Sequence, residues 1–187
     1  MSKILIVTAL HRELPGRFDE PFFSHNILFT GVGKINATYE LTKVLSNDRF
    51  DLVINYGTAA SKIYQGLVDC TKFIQRDMDV TPLGFKIGET PFERHSDSSM
   101  IDFSHIKNPL GKNLCCYTGD SFVTDMTPYD DVVDMEAYAL AKICWKEHIN
   151  FVSYKYISDD GDADDWEKNC SKGVEEFKKV LEYYDNL

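Results

Sequence analysis

Apolar positions recur along this chain in two rhythms that alternate. Ile4 to Ala9 is an apolar run of the kind shown by a strand covered on both faces. Asn26 to Thr30 predicts a second, short strand that runs into Gly31-Val32-Gly33. A helix follows from about Ile35 to Leu45, with Leu41, Val44 and Leu45 on one face. Asp51 to Asn55 reads as a third strand, closed by Gly57, and Leu67–Cys70, Leu114–Thr118 and Ser121–Thr124 predict further strands. Ala137 to Glu147 is strongly amphipathic, Phe151 to Ile157 is a strand, and the helix over Ser171–Tyr184 turns Val174, Phe177, Val180 and Leu181 toward a core.

This order predicts an α/β chain: a single domain over residues 1–187, with a mixed central β-sheet flanked by helices on both faces. The polar stretch Gly88 to Pro109, with Ser96, Asp97, Ser98 and Ser99, reads as a long surface loop. A length of 187 residues and a 43% hydrophobic fraction allow a full core without staples. The net charge of −10 argues against a phosphate-backbone binder, so no nucleic-acid partner is expected. No stretch approaches the roughly 20 apolar residues of a membrane span. The run after the N-terminus is too short for a signal peptide and suits a first strand better. Five cysteines (Cys70, Cys115, Cys116, Cys144, Cys170) are odd in number and irregular in spacing. That is not a disulfide framework and fits a reducing, cytoplasmic compartment.

Candidate chemistry lies at the ends of these elements. Thr30-Gly31-Val32-Gly33-Lys34 fails the nucleotide-binding fingerprints, because Asn36 stands where a third glycine is needed. A tight turn accounts for it, yet glycines let a ligand approach the backbone and a helix start offers N–H groups to oxygen atoms. Asn55-Tyr56-Gly57-Thr58-Ala59-Ala60 leaves space at a strand end, for either a ligand or a close helix crossing. Glu136 in a first helical turn would ordinarily complement the dipole. The adjacent Asp134 and the Ala-rich packing after it suggest that Glu136 points inward instead. Ser158 to Asp165 is an acidic run without the Gly and Glu positions of a calcium loop. Only Asp159, attached to a buried strand, is placed for a pocket; the others are read as facing water. His11, His25, His95, His105 and His148 show no ligand spacing, so neither a metal nor a cofactor is expected. With Glu13 after the first strand, three carboxylates stand at the ends of buried elements.

Taken in order, these segments resemble the methylthioadenosine/S-adenosylhomocysteine nucleosidases of the purine nucleoside phosphorylase superfamily. The similar pieces are Glu13 after the first strand, Thr30-Gly31-Val32-Gly33-Lys34-Ile35-Asn36-Ala37, Ile54-Asn55-Tyr56-Gly57-Thr58-Ala59 and Asp79-Val80-Thr81-Pro82-Leu83-Gly84-Phe85. Gly119-Asp120-Ser121-Phe122-Val123, Val133-Asp134-Met135-Glu136-Ala137 and Ile157-Ser158-Asp159 complete the set.

The resemblance implies hydrolysis of the N-glycosidic bond of a 5′-modified adenosine, with methionine salvage as its setting. It implies that Asp159 protonates N7 of the departing purine and that Glu13 takes a proton from the attacking water. Glu136 would bind the ribose hydroxyls, with Met135 beside the sugar and Gly33 in the binding turn. Phe122 would stack on the base, the Val123 backbone would read its edge, and Ser158 would orient Asp159. Leu83, Phe85 and Pro91 would close the 5′ side, partly across a homodimer interface. An acid at the base and carboxylates around the sugar suit a reaction that builds positive charge on the ribose. Asp159 can serve as an acid only if its surroundings raise its pKa.

Two departures keep alternatives open. The chain is short between Glu13 and Thr30, where a strand pair is expected, and His11 and Arg12 replace the acidic neighbours of the family's Glu. Arg12 or Arg17 could serve a phosphate, which makes a phosphate-dependent phosphorylase the alternative. A non-catalytic nucleoside-binding protein on the same fold is the second.

Overall fold

The computed structural model describes residues 3–15, 25–93 and 99–187. Arg17, His95 and the serines at 96 and 98 of the polar stretch lie outside the described residues. The strands are β1 (Ile4–Thr8), β2 (Asn26–Phe29), β3 (Leu52–Ala60), β4 (Gly66–Gln75), β5 (Ile101–Asp102), β6 (Leu114–Thr118), β7 (Val132–Asp134) and β8 (Asn150–Asp159). The helices are α1 (Lys34–Leu45), α2 (Ala137–Lys146), α3 (Ala163–Asn169) and α4 (Val174–Asp185).

The strands join in the order β2-β1-β3-β7-β6-β4-β5, and β8 pairs with both β3 and β4. Strands β3, β8, β4, β6 and β7 therefore close on one another, and β1 and β2 extend the sheet from β3. β1 and β8 run parallel to β3, so Thr8, Ala60 and Asp159 come out at the same end. β7 meets β3 antiparallel at Ala60↔Val133, which brings the start of α2 to that end as well. The site is a consequence of this register.

Successive side chains of a strand face opposite sides, and the core divides accordingly. Leu5, Val7, Val53 and Phe151 pack with Ala37 and Leu41 of α1 and with Leu140 and Cys144 of α2. Ile4, Ile6, Ile54, Val152 and Tyr154 pack with Phe177, Val180 and Leu181 of α4 on the other face. Both faces are covered, which is why β1 reads as an apolar run rather than an alternation. Full burial of each such side chain stabilises by about 1.5–3 kcal/mol.

Five elements differ from the sequence reading. The stretch read as a long surface loop contains β5, which pairs with β4, and it buries Ile101 and Phe103 in the core. β3 is not closed by Gly57 but runs on to Ala60, paired along that length with β8. Ser121–Thr124 forms no strand; the Arg76 guanidinium instead holds the Ser121 carbonyl and that of Gly119 just before the segment. β7 is only three residues long and passes unnoticed by periodicity. The acidic run does not remain a loop: Asp162 caps α3 by accepting from the N–H groups of Asp164 (2.8 Å) and Asp165 (3.4 Å). Asp164 and Asp165 then lie in the first turn, where the helix dipole favours negative charge.

Candidate active site

Glu13 is turned inward by a tight turn in which its N–H donates to the Leu10 carbonyl. The carboxylate is 5% exposed and well supplied with donors. Oε1 accepts from Thr58 N (2.9 Å) and Thr58 Oγ1 (2.7 Å), and Oε2 from Leu10 N (3.0 Å). Thr58 lies near the end of β3, so the strand end and the β1 loop hold the carboxylate between them.

Asp134 ends β7 and takes the capping role at α2: Oδ2 accepts from the N–H groups of Ala137 (2.8 Å) and Glu136 (3.2 Å). Glu136 is thereby released from capping, and its side chain turns into the protein at 8% exposure. Its Oε1 accepts from Gly33 N at 2.8 Å. Gly33 has φ +93°, and a Cβ there would stand 3.2 Å from Asp120 Oδ1, so glycine alone suits the position. Lys34 N donates to the same Asp120 oxygen at 2.8 Å. The N–H groups of Gly33 and Lys34 at the start of α1 are thus bound to Glu136 and Asp120, and Gly33 acts through Glu136.

Beneath the carboxylates lies Lys155, 1% exposed, with Nζ 2.9 Å from Asp134 Oδ2. Burial alone would lower the Lys155 pKa, but the Asp134 carboxylate holds it above the ordinary value. Burial likewise pushes Asp134 up, and the Lys155 ammonium overrides it and holds the carboxyl below the usual range. Glu136 is left without a cation of its own. Its burial and the Asp134 charge push its carboxyl up to about 8.

That shift has a measurable consequence for stability. A carboxyl raised in the fold binds a proton there that the unfolded chain releases. Its stabilising share is full below the ordinary value of 4.5 and is lost as pH rises through about 8. Glu136→Gln is therefore expected to melt at or above the wild-type temperature at about pH 9 and to lose part of that advantage at about pH 6. Thermal melts across this range check it, and a variant destabilised equally at both ends would refute it.

Asp159 ends β8 at 8% exposure. Ser158 Oγ donates to Oδ2 (2.8 Å) and Gly161 N to Oδ1 (2.9 Å). Burial raises its pKa against these two bonds, with help from the Asp160 and Asp162 charges. Gly161 has φ +111°, and a Cβ there would meet the carbonyls of Thr124 (3.0 Å) and Val123 (3.1 Å). Only glycine lets the Asp159 loop lie against the Val123 backbone this closely.

One cavity of about 330 Å³ gathers Glu13, Glu136 and Asp159, with Met135, Phe122 and Val123 in its wall. That is within the range of small-molecule pockets. Among the described residues no cluster of His, Cys, Asp and Glu is arranged for a metal ion.

No family model matches the chain. A curated relative from Haemophilus influenzae, named 5′-methylthioadenosine/S-adenosylhomocysteine nucleosidase, is 31% identical over 81% of this chain and 72% of its own length. The chain belongs to the 5′-methylthioadenosine/S-adenosylhomocysteine nucleosidase family. A member from Anoxybacillus flavithermus is 32% identical over 71% of this chain, which spans 66% of that relative's length. Enzymes of the family hydrolyse the N-glycosidic bond of 5′-modified adenosines. The fold matches the Helicobacter pylori nucleosidase, in complex with a pyrrolidine-based compound, at a TM-score of 0.80 and 19% identity, over 100% of this chain and 99% of that one. The futalosine hydrolase of the same organism matches at 0.80 and 19%, over 100% and 98%. The α/β nucleosidase fold expected from the sequence is the one observed.

Not every expected residue of this nucleosidase-family chain reaches the cavity. Ser158 stands behind Asp159, and Gly33 behind Glu136. Leu83, Phe85 and Pro91 do not line it in the single chain; Leu83 is 69% exposed and Phe85 packs edge-on against Phe92. Arg12, the candidate phosphate ligand, is directed elsewhere, over the Trp166 ring and toward Glu167. Sequence reasoning missed Lys155, Thr58 and Trp166. A lysine in the apolar run Phe151–Ile157 was the available signal for the first, since a buried cation needs a partner. Thr58 lay unremarked in the small-residue segment, and nothing near Trp166 marked it.

No helix among the described residues is long and apolar enough to cross a membrane.

Proposed function

We propose that this protein hydrolyses the N-glycosidic bond of a 5′-modified adenosine of the methylthioadenosine or S-adenosylhomocysteine type, releasing the free base. The observation that carries this is the convergence of Glu13, Glu136 and Asp159 on one cavity. Asp159, buried and raised, donates a proton to the purine as it leaves. Glu13 takes a proton from the attacking water. Glu136 and Met135 hold the ribose, while Phe122 stacks on the base and the Val123 backbone meets its edge. General acid–base help of this kind is typically worth about 10²–10⁴-fold.

Water is favoured over phosphate by the charge of the pocket. None of the described lining residues is Lys or Arg, and the N–H groups of Gly33 and Lys34 are already bound to carboxylates. A storage role would not require Glu13 with its full set of donors.

We further infer a homodimer. Ile35 (81% exposed) and Tyr39 (64%) of α1 border an open groove against α2. Lys142 of α2 pairs with Glu93, which sets the Pro91–Phe92 segment beside the same groove. A two-fold partner there would cover these apolar groups and use Leu83, Phe85 and Pro91 at the 5′ side. The five free thiols support a reducing, cytoplasmic setting, and the substrate class supports a place in methionine salvage.

A product assay over a panel of adenosine derivatives tests the reading. Free adenine should appear at the same rate with and without inorganic phosphate. A ribose 1-phosphate product formed only with phosphate, or no base release from folded protein, would overturn it.

A further inference from the structure

Trp166 sits on α3, a helix of seven residues whose Ala163 also lines the cavity and whose Asn169 Nδ2 donates to the Ser158 carbonyl at 2.7 Å. Its indole Nε1–H donates to Thr58 Oγ1 at 3.0 Å, and Thr58 Oγ1 donates to Glu13 Oε1 at 2.7 Å. We propose that Trp166 is a positioning residue for the hydrolytic reaction: its indole N–H fixes the Thr58 hydroxyl so that its proton is committed to Glu13. The inference rests on the reading of Glu13 as the acceptor of the water proton.

The direction of the chain follows from donor chemistry. An indole N–H can only donate, and a hydroxyl carries a single proton with acceptor lone pairs. Once Oγ1 accepts from Trp166, its own proton is free for the carboxylate. The Thr58 N–H, at 2.9 Å from the same Oε1, gives the carboxylate a second fixed donor. Without the indole, the hydroxyl can turn toward water, and Glu13 loses one of the groups that orient it toward the sugar. From outside, the Arg12 guanidinium lies 5.6 Å from the Trp166 ring and 4.0 Å from Glu167. A cation over the ring face, paired to the same helix, keeps the indole in place. This also gives Arg12 a use that does not involve phosphate.

Trp166→Phe keeps an aromatic ring in the wall and removes the donor at the cost of some ring volume. It should lower kcat about tenfold, as expected for one lost orienting hydrogen bond, with KM changed less than about threefold. In a Thr58→Val background the same replacement should cost nothing further, because the relay is already broken. A purely structural role would instead lower activity equally in both backgrounds. Indole ¹H–¹⁵N spectra give a reading independent of turnover: the Trp166 resonance, identified by its loss in Trp166→Phe, should shift and exchange faster with solvent in Thr58→Val. Full kcat in Trp166→Phe, equal losses in the two backgrounds, or an indole resonance indifferent to Thr58 would each overturn the proposal. Should the wild-type protein release no base, the reading of Glu13 falls, while the indole resonance still decides whether the contact with Thr58 exists.

Discussion

Asp159→Asn is expected to lower kcat by about 10²–10⁴-fold while leaving the fold intact. The side chain keeps its shape, and the amide oxygen can still accept from Gly161 N as Oδ1 does now. What disappears is the transferable proton. The carboxyl is raised by burial and by Asp160 and Asp162, so the wild type presents a proton donor that the amide cannot replace. The loss should fall on kcat more than on KM, because leaving-group protonation strengthens only toward the transition state. It should be smallest for nucleoside analogues whose base departs readily without a proton. Steady-state kinetics with a thermal melt on the same sample decide it: turnover within about threefold of wild type would remove Asp159 from the proton-donor role.

The second large effect concerns the charge beneath the site. Lys155→Met is expected to destabilise the protein by about 3–5 kcal/mol, because it leaves Asp134 buried and without its cation. For a chain of this size that corresponds to a melting temperature lower by roughly 10 °C. Asp134 would still accept from Ala137 N and Glu136 N, so the cap of α2 would persist with an uncompensated charge. Lys155→Met with Asp134→Asn removes both charges and should recover most of the loss, since a neutral amide costs far less to bury than a lone carboxylate. Denaturant unfolding of the two variants separates the cases. A single variant within about 1 kcal/mol of wild type would show that the pair contributes little.

How far the site was legible can be traced residue by residue. Glu136 was ambiguous between dipole complement and pocket group, and the neighbouring Asp134 resolved it, since one carboxylate is enough to cap α2. Asp159 was legible because, of the acidic run, it alone is attached directly to the apolar strand and so falls at a strand-end pocket. Asp162 faces water as read, but the helix it caps went unread, because seven residues carry too few turns to show a period. The strand expected at Ser121–Thr124 failed for a related reason. Its residues favour a strand locally, yet Arg76, far away in sequence, holds the Ser121 carbonyl.

The sequence alone determined the alternation of strands and helices, the two-sided coverage of the sheet, and which carboxylates follow buried elements, for these depend on local periodicity and the burial of apolar groups. Only the tertiary structure decided which groups those carboxylates meet: Lys155 under Asp134, Gly33 on Glu136, Trp166 behind Thr58 and Glu13. Those contacts span as many as 108 positions of the chain. Such pairings are set by strand register, and no local pattern of residues encodes them.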